Sequence, residues 1–539
     1  MLKRAIILLA LVVTVAVPFA LRPRQAAPSD ADDTLVIITP HNEAIRHEFS
    51  LAFRQWYKAR TGRTVFLDWR MIGGTSEIAR YLEGEYVASF RNLWTNKLGR
   101  PWGTEVQSGF QNPRLPADAP APVREARAAF LASDAGCGID LFFGGGPYDF
   151  IKQARAGRLV VSGVRSLHPE WFTQAAFPRT YGGEEFWDRG DLWYGAVLSC
   201  YGILFNRDAL ARLGIEREPA SWADLTDPRY VGQIGMCDPT KSGSIAAAFE
   251  NVVQQQIQLR LDALRLAEPG RDASSLGSQA VREGWVRGLQ LLQLVGANAR
   301  YFTDTSQKPP IDVAAGDCAA GMCIDFYGRE QQEAVRRRGS ERLGYVSPEG
   351  GSAYSVDPIA LLRGAPHRGV ALAFMEFVLS EDGQKLWDFR TGTPGGPSAF
   401  ALRRLPVRRD FYGNEAWQAY RSDPSVNPYA QKSVLVHHDE WTGPLFSELA
   451  FIVRVATEDT HADLVEAWRA VIAAPEPARS RALAVLQDLS AVDYDQAMGR
   501  IKKGLGSKNQ VDAVTLARDL GVVFREHYRR AARIARGGP

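Results

Sequence analysis

Five cysteines in 539 residues are too few for a disulfide scaffold, and their spacing fits no common zinc pattern. They are Cys137, Cys200, Cys237, Cys318 and Cys323; the count is odd, and Cys318 with Cys323 is a pair that an oxidising compartment could bridge. Blocks of like charge are also missing. Lys and Arg total 64 against 61 Asp and Glu, a net of +3, which leaves no electrostatic footprint for nucleic acid. The densest basic spot, Arg336-Arg337-Arg338, reads as a solvated helix face. Neither H-E-x-x-H, nor a G-x-S-x-G elbow, nor a G-x-G-x-x-G after a strand occurs. The stretch from Gly235 to Ser242 approaches G-x-x-x-x-G-K-[ST], but Thr240 stands where glycine must wrap the phosphates and Pro239 removes a backbone donor. No cofactor and no metal site is therefore expected. The enzymatic alternative is an exported hydrolase using an acid/base pair among Asp140, Asp238, Asp325 and Asp357.

What is present is a long chain, 45% hydrophobic, with enough apolar residues for more than one core. Lys3 and Arg4 precede an apolar run from Ala5 to Leu21, which reads as a targeting element. The run is slightly short of the ~20 residues that span a bilayer. Arg22 and Arg24 follow at once. A cleaved signal peptide and an uncleaved membrane anchor both stay open, and either implies a periplasmic or otherwise extracytoplasmic location. Residues 1–33 are set aside as this segment with its linker.

Three strand–loop–helix units follow, beginning at Thr34–Ile38, Thr64–Trp69 and Ile139–Phe143, the signature of an α/β fold with a parallel sheet. Residues 34–198 read as a first lobe, interrupted by a Pro-rich stretch at about 85–122 that is expected to be an inserted surface loop. A second strand-and-helix set over 199–353 reads as a second lobe. Residues 354–401 read as a hinge return with packing helices, and 402–539, without strand patterning, as a helical C-terminal extension.

Small polar residues stand between strands and helices at His41-Asn42, Gly73-Gly74-Thr75-Ser76, Gly144-Gly145-Gly146 and Thr240-Lys241-Ser242-Gly243-Ser244. In open α/β sheets ligands bind beyond the carboxyl ends of strands, where helix N-termini present free N–H groups and positive potential. Each loop taken alone is also a plain N-cap. Four in one chain point to a shared site for a small anionic or zwitterionic solute, with His41, Asn42, Gly74, Thr75, Ser76, Gly145, Thr240, Ser242 and Ser244 as candidates. Ser199 and Tyr201 join them from the run Trp193–Phe205. Asp325 and Asp357 are placed to face an amine. Tyr327, Tyr301 and Trp193 are candidate walls. The cluster His437-His438-Asp439-Glu440 tempts as a metal site, but adjacent helical residues point apart.

The segments LVIITPHNEAIRHEFSLAFRQWYKARTG, IDLFFGGGPYDFIKQARAGRLV, SWADLTDPRYVGQIGMCDPTKSGSIAAAFENV and DPIALLRGAPHRGVALAFMEFVLSEDGQKLW resemble, in order and spacing, the extracellular solute-binding proteins of bacterial ABC importers. The resemblance covers roughly Leu35 to Trp387 and is greatest to the branch named for ferric-iron binding. It implies two lobes with hinge strands near Leu198–Ile203 and Tyr354–Ile359, a solute in the cleft between them, hinge closure, and ABC permease subunits as partners. Ferric sites of that branch use paired tyrosines. Here Tyr327 follows Phe326 instead. A membrane-tethered sensor or assembly protein on the same fold is the alternative for a chain with this tail.

Overall fold

The computed structural model describes residues 30–431, 435–507 and 509–538; the apolar run 5–21 lies outside them. β1 (Asp33–Ile38) buries its last four residues, as a central strand covered on both faces must. Asn42 then accepts the N–H of Ile45 at 3.1 Å and starts α1 (Glu43–Thr61), whose Ile45, Phe49, Phe53 and Tyr57 recur at every fourth position on the buried side. β2 (Val65–Arg70) and α2 (Thr75–Asn92) repeat the unit.

The expected surface loop at 85–122 is not one. α2 continues through it, and α3 (Thr104–Gly109) and α4 (Ala121–Ala132) follow. Phe90, Phe110 and Phe130 pack together fully buried, with Phe90 and Phe110 stacked at 4.7 Å. The prolines that suggested a loop separate short helices, and Pro122 sits in the first turn of α4, where its missing N–H costs nothing.

β3 (Leu141–Phe143) and α5 (Pro147–Ala156) complete the third unit, and a short hairpin of β4 (Thr180–Tyr181) and β5 (Glu184–Glu185) leads to β6 (Tyr194–Ser199). One residue later, β7 (Tyr201–Asn206) belongs to a different sheet. That sheet adds β8 (Ile234–Cys237), and the long helices α6 (Gly243–Ala267) and α7 (Ala273–Ala297) form a hairpin after it. β9 (Ala299–Thr303), β10 (Ala320–Ile324), α8 (Asp325–Arg336) and β11 (Leu343–Val346) finish the lobe. The chain recrosses at 347–354 into β12 (Ser355–Leu361), α9 (Arg368–Leu379) and α10 (Glu381–Asp388) of the first lobe.

The first sheet runs β13-β6-β12-β3-β1-β2, where β13 is the short strand Leu405–Pro406, and the second β11-β7-β10-β8-β9. β1, β2 and β3 are parallel, with Leu35 opposite Leu67; β12 is antiparallel to β6, with Ser355 opposite Ser199. In the second sheet β8 is parallel to both β9 and β10, and Tyr201 of β7 faces Ile324. The two passages at Cys200 and 347–354 thus lie side by side.

The tail also departs from expectation. Its first part is largely irregular: β13 (Leu405–Pro406) pairs with β6, the buried ion pair Arg421–Asp388 (2.6 Å) fastens this stretch to the first lobe, and the half-buried pair Arg403–Asp423 (2.5 Å) ties the stretch to itself. A two-residue strand carries no alternation to read. Two single-turn helices (Arg409–Tyr412 and Glu415–Gln418) interrupt the stretch, and the longer helices come only after Asp439: α11 (Phe446–Val453), α12 (His461–Ala473), α13 (Ala478–Leu486) and α14 (Gln510–Ala535). They continue the second lobe's core: Trp285, Leu292 and Val295 share one apolar cluster with Leu449, Leu486, Leu520 and Phe524. All five cysteines are free thiols. Cys318 lies two residues before β10 and Cys323 is its fourth residue, and the two are not bridged. Among the described residues no helix is long and apolar enough to cross a membrane.

Candidate functional site

A cleft of about 1600 Å³ opens between the lobes, at the carboxyl ends of β1, β3, β8 and β10. Its first wall is made by the N-termini of α1, α2 and α5, and its second by those of α6 and α8. Close approach dictates glycine here. Gly145 has φ 112, and a Cβ on it would lie 2.5 Å from the Thr75 methyl carbon. Gly74 meets the opposite lobe: its Cβ would stand 2.9 Å from the carbonyl oxygen of Lys241.

His41, Asn42, Gly74, Thr75, Gly145, Ser199, Tyr201, Ser242, Ser244, Tyr327 and Asp357 all line the cleft, as does Trp193. Ser76, Thr240 and Asp325 do not. Thr240 is turned into an Asx-type turn, its N–H and hydroxyl both donating to Asp238 Oδ1 at 2.7 Å. Asp325 is fully buried beside the Cys200 crossover, accepting the Cys200 N–H at 3.4 Å, with Arg329 3.4 Å away. Tyr301 donates to Asp312 and is likewise outside the cleft. Asn42 serves α1 as cap, and the Gly74 N–H donates to Glu77 Oε2 at 2.9 Å, the half of a capping box that needs no side chain at the N-cap.

Asp357 is spoken for. It faces Arg404 Nη1 at 2.7 Å, accepts the Ser199 hydroxyl at 2.9 Å and lies 3.5 Å from His41 Nε2. Burial pushes its carboxyl up, but the Arg404 charge and His41 outweigh burial and hold it down at about 2. Burial, helped by the Arg404 charge, lowers the His41 imidazole, so His41 is neutral. Arg404 itself is fully buried, its guanidinium 4.2 Å over the Phe326 ring. Neither aspartate is thus free to receive an amine, and that expectation is withdrawn.

The second wall has a hydroxyl cluster at the start of α6. Ser242 and Ser244 Oγ are 3.1 Å apart, and Ser244 donates to Ser306 at 3.3 Å. No side chain caps this helix. Lys241 lies beside it, 3.6 Å from Asp304. Opposite, on the first turn of α5, Asp149 is 8% exposed, and burial pushes its carboxyl up to about 6.

The far end of the cleft was not foreseen. His437 stands between Glu184 of β5 and Glu250 of α6, at 3.5 Å from each. Burial alone would lower its imidazole; the two carboxylates overcome this and raise it to about 9. His438 turns away to stack on Trp441 at 3.9 Å, so the four-residue cluster is split. Among the described residues no group of three or more His, Cys, Asp and Glu is arranged for a metal ion.

Residues 170–410 match the family described as bacterial extracellular solute-binding protein. An uncharacterized protein of Haemophilus influenzae is 25% identical over 248 residues, 46% of this chain and 60% of that one. The phosphoglycerate transport regulatory protein PgtC of Salmonella typhimurium is 27% identical over 198 residues, 36% of this chain and 41% of its own length. This chain therefore spans less than two thirds of either curated relative. Among solved structures, the periplasmic binding protein AfuA of Actinobacillus pleuropneumoniae, with fructose-6-phosphate bound, superposes with a TM-score of 0.50 at 17% identity. That match covers 81% of this chain and 98% of AfuA, and it shows a shared fold.

Proposed function

We propose that this chain is a bacterial extracellular solute-binding protein, as its match over residues 170–410 supports, which captures a small solute bearing an oxyanion group and presents it to the permease of an ABC importer in the periplasm. The observation that carries the reading is the convergence of helix N-termini from both lobes on one cleft, with α6 uncapped and ringed by Ser242, Ser244 and Ser306. First-turn N–H groups and serine hydroxyls are donors, and the helix ends add positive potential, so the arrangement suits phosphate, phosphonate, sulfate or carboxylate. The ligands in the names of PgtC and of the AfuA complex, phosphoglycerate and fructose-6-phosphate, are solutes of this chemistry.

A cleft of about 1600 Å³ exceeds the 300–1,000 Å³ or so that encloses a small ligand. The lobes already meet at Gly74 and Lys241, and rotation about the paired passages at Cys200 and 347–354 narrows the rest of the cleft around the solute. A solute held by α6 and touching α2 and α5 favours the closed form by its differential affinity for it. No covalent step is required.

The test is a thermal-shift series with the full chain. Phosphate, sulfate, phosphonates, 3-phosphoglycerate, fructose-6-phosphate and citrate are compared with glucose, fructose and spermidine. A rise in Tm of several degrees with one oxyanion solute, growing with its concentration, is the expected result. A shift with spermidine or neutral sugars alone overturns the oxyanion reading.

A further inference from the structure

Two-lobed clefts joined only at one edge can gape widely at the other. Here the other edge is bridged. The chain leaves the first lobe near Tyr429, which packs on that lobe's core, and Trp441 and Leu445 are already in the second lobe's core. Between them, the His437 N–H donates to the Gly182 carbonyl of the first lobe's hairpin at 2.8 Å. The contact is tight, because a Cβ on Gly183 would lie 1.9 Å from the His437 carbonyl oxygen. The next residue is held by the second lobe: the His438 N–H donates to Gln254 Oε1 at 3.1 Å, and Gln254 Nε2 donates to the His438 carbonyl at 2.8 Å. The His437 ring repeats the bridge with charge, Glu184 belonging to one lobe and Glu250 to the other.

A second contact lies beside it. Tyr148 of α5 packs on Phe446 with ring centroids 4.6 Å apart, and its hydroxyl is 2.9 Å from Ser447 Oγ. Lys502 donates to the Pro444 carbonyl at 2.8 Å and closes the cleft's rim behind this stretch.

We propose that the segment His437–Thr442 is a third connection between the lobes, with His437 as its positioning residue, which limits how far the cleft opens and walls its far end. The wall role rests on the solute-cleft reading above; the restraint on opening does not, and it is measured without solute.

The experiment uses the full chain with spin labels at R54C in the first lobe and E216C in the second, in a C137S background. The four other cysteines are buried. Pulsed dipolar spectroscopy then gives the distance between lobes. At pH 7 the wild type is expected to give one narrow distribution and H437Q a broader one, its mean longer by several Å. Raising the wild type to pH 10 removes the imidazolium that faces Glu184, Glu250 and Asp439 and is expected to reproduce the H437Q distribution, whereas H437Q does not respond. A merely structural histidine would not give that pH dependence, and the wild-type titration stands even where H437Q folds poorly. Identical distributions for wild type at both pH values overturn the proposal. A positive result without any solute-induced Tm shift leaves the restraint intact and removes only the solute reading.

Discussion

Arg404 and Asp357 meet at 2.7 Å on the cleft floor, the guanidinium fully buried and the carboxylate nearly so. Arg404 comes from the irregular stretch just before β13, and Asp357 from β12, so one ion pair fastens the tail's beginning to the strand that returns from the second lobe. Arg404 also donates to Ser199 Oγ at 2.5 Å, on the strand that leaves the first lobe. The pair thus braces both passages at their first-lobe ends.

Removing one partner strands the other. R404L leaves Asp357 buried without its cation, and a loss of about 3–5 kcal/mol in urea unfolding at pH 7 is expected. The depressed carboxyl contributes stability that is present above its ordinary 3.8 and lost as pH falls through about 2. The gap between wild type and R404L is therefore expected to narrow as pH falls from 7, first because protonation relieves the stranded Asp357 of R404L and then because the wild type loses its own contribution below about 4. A gap independent of pH would show that Arg404 acts through packing alone.

The serine cluster separates two substitutions that look alike in the sequence. S242A/S244A removes two hydroxyls that point into the cleft, and about a tenfold loss of oxyanion affinity by calorimetry is expected, near 1.4 kcal/mol. T240A changes a residue whose hydroxyl is bound to Asp238, so affinity within about twofold of wild type is expected. The reverse order would move the binding end away from α6.

On the oxyanion reading, Asp149 opposes the bound solute. Its folded carboxyl titrates near 6, above the ordinary 3.8, so its charge destabilises the fold as pH rises from about 4 through 6. D149N is expected to match the wild type below pH 4 and to exceed it by up to about 3 kcal/mol above pH 7. Sulfate, whose own charge is constant over this range, is expected to bind the wild type more tightly at pH 5 than at pH 7.5 and D149N equally at both. Equal sulfate affinity of the wild type at both values would place the anion away from α5.

The α/β units and four cleft loops were legible because strand, loop and helix are contiguous in sequence and their patterns local. Eleven of the fourteen site residues expected from them do line one cleft. Two of the exceptions have local causes: Thr240 is satisfied by its neighbour Asp238, and Asp325 by the adjacent crossover. What could not be read was non-local. Nothing around Arg404 or His437 announces a partner at Asp357 or Glu250, since those encounters depend on how an irregular tail crosses two lobes. His437 drew notice only as part of a row of possible metal ligands, and in that row His438 turns away to stack on Trp441. The Pro-rich stretch at 85–122 misled because proline ends helices and also begins them.

Gly74 and Gly145 isolate closure from folding. Gly145 needs its φ of 112 and fits against Thr75 within its own lobe, so G145A strains the fold itself, and a clear drop in Tm is expected without any ligand. Gly74 has φ −73, which alanine adopts freely, and nothing in its own lobe crowds a Cβ; the neighbour at 2.9 Å is Lys241 of the other lobe. G74A costs the α2 N-cap about 1 kcal/mol or less. Its larger effect falls on the closed form, which must relax by several tenths of an ångström or stay ajar. Oxyanion affinity is therefore expected to fall about tenfold in G74A while Tm without solute moves by only a few degrees, and, if the proposed closure retains the solute, the lost affinity should appear as faster release. Unchanged release from G74A would mean that the lobes do not meet at Gly74 and Lys241 in the liganded protein.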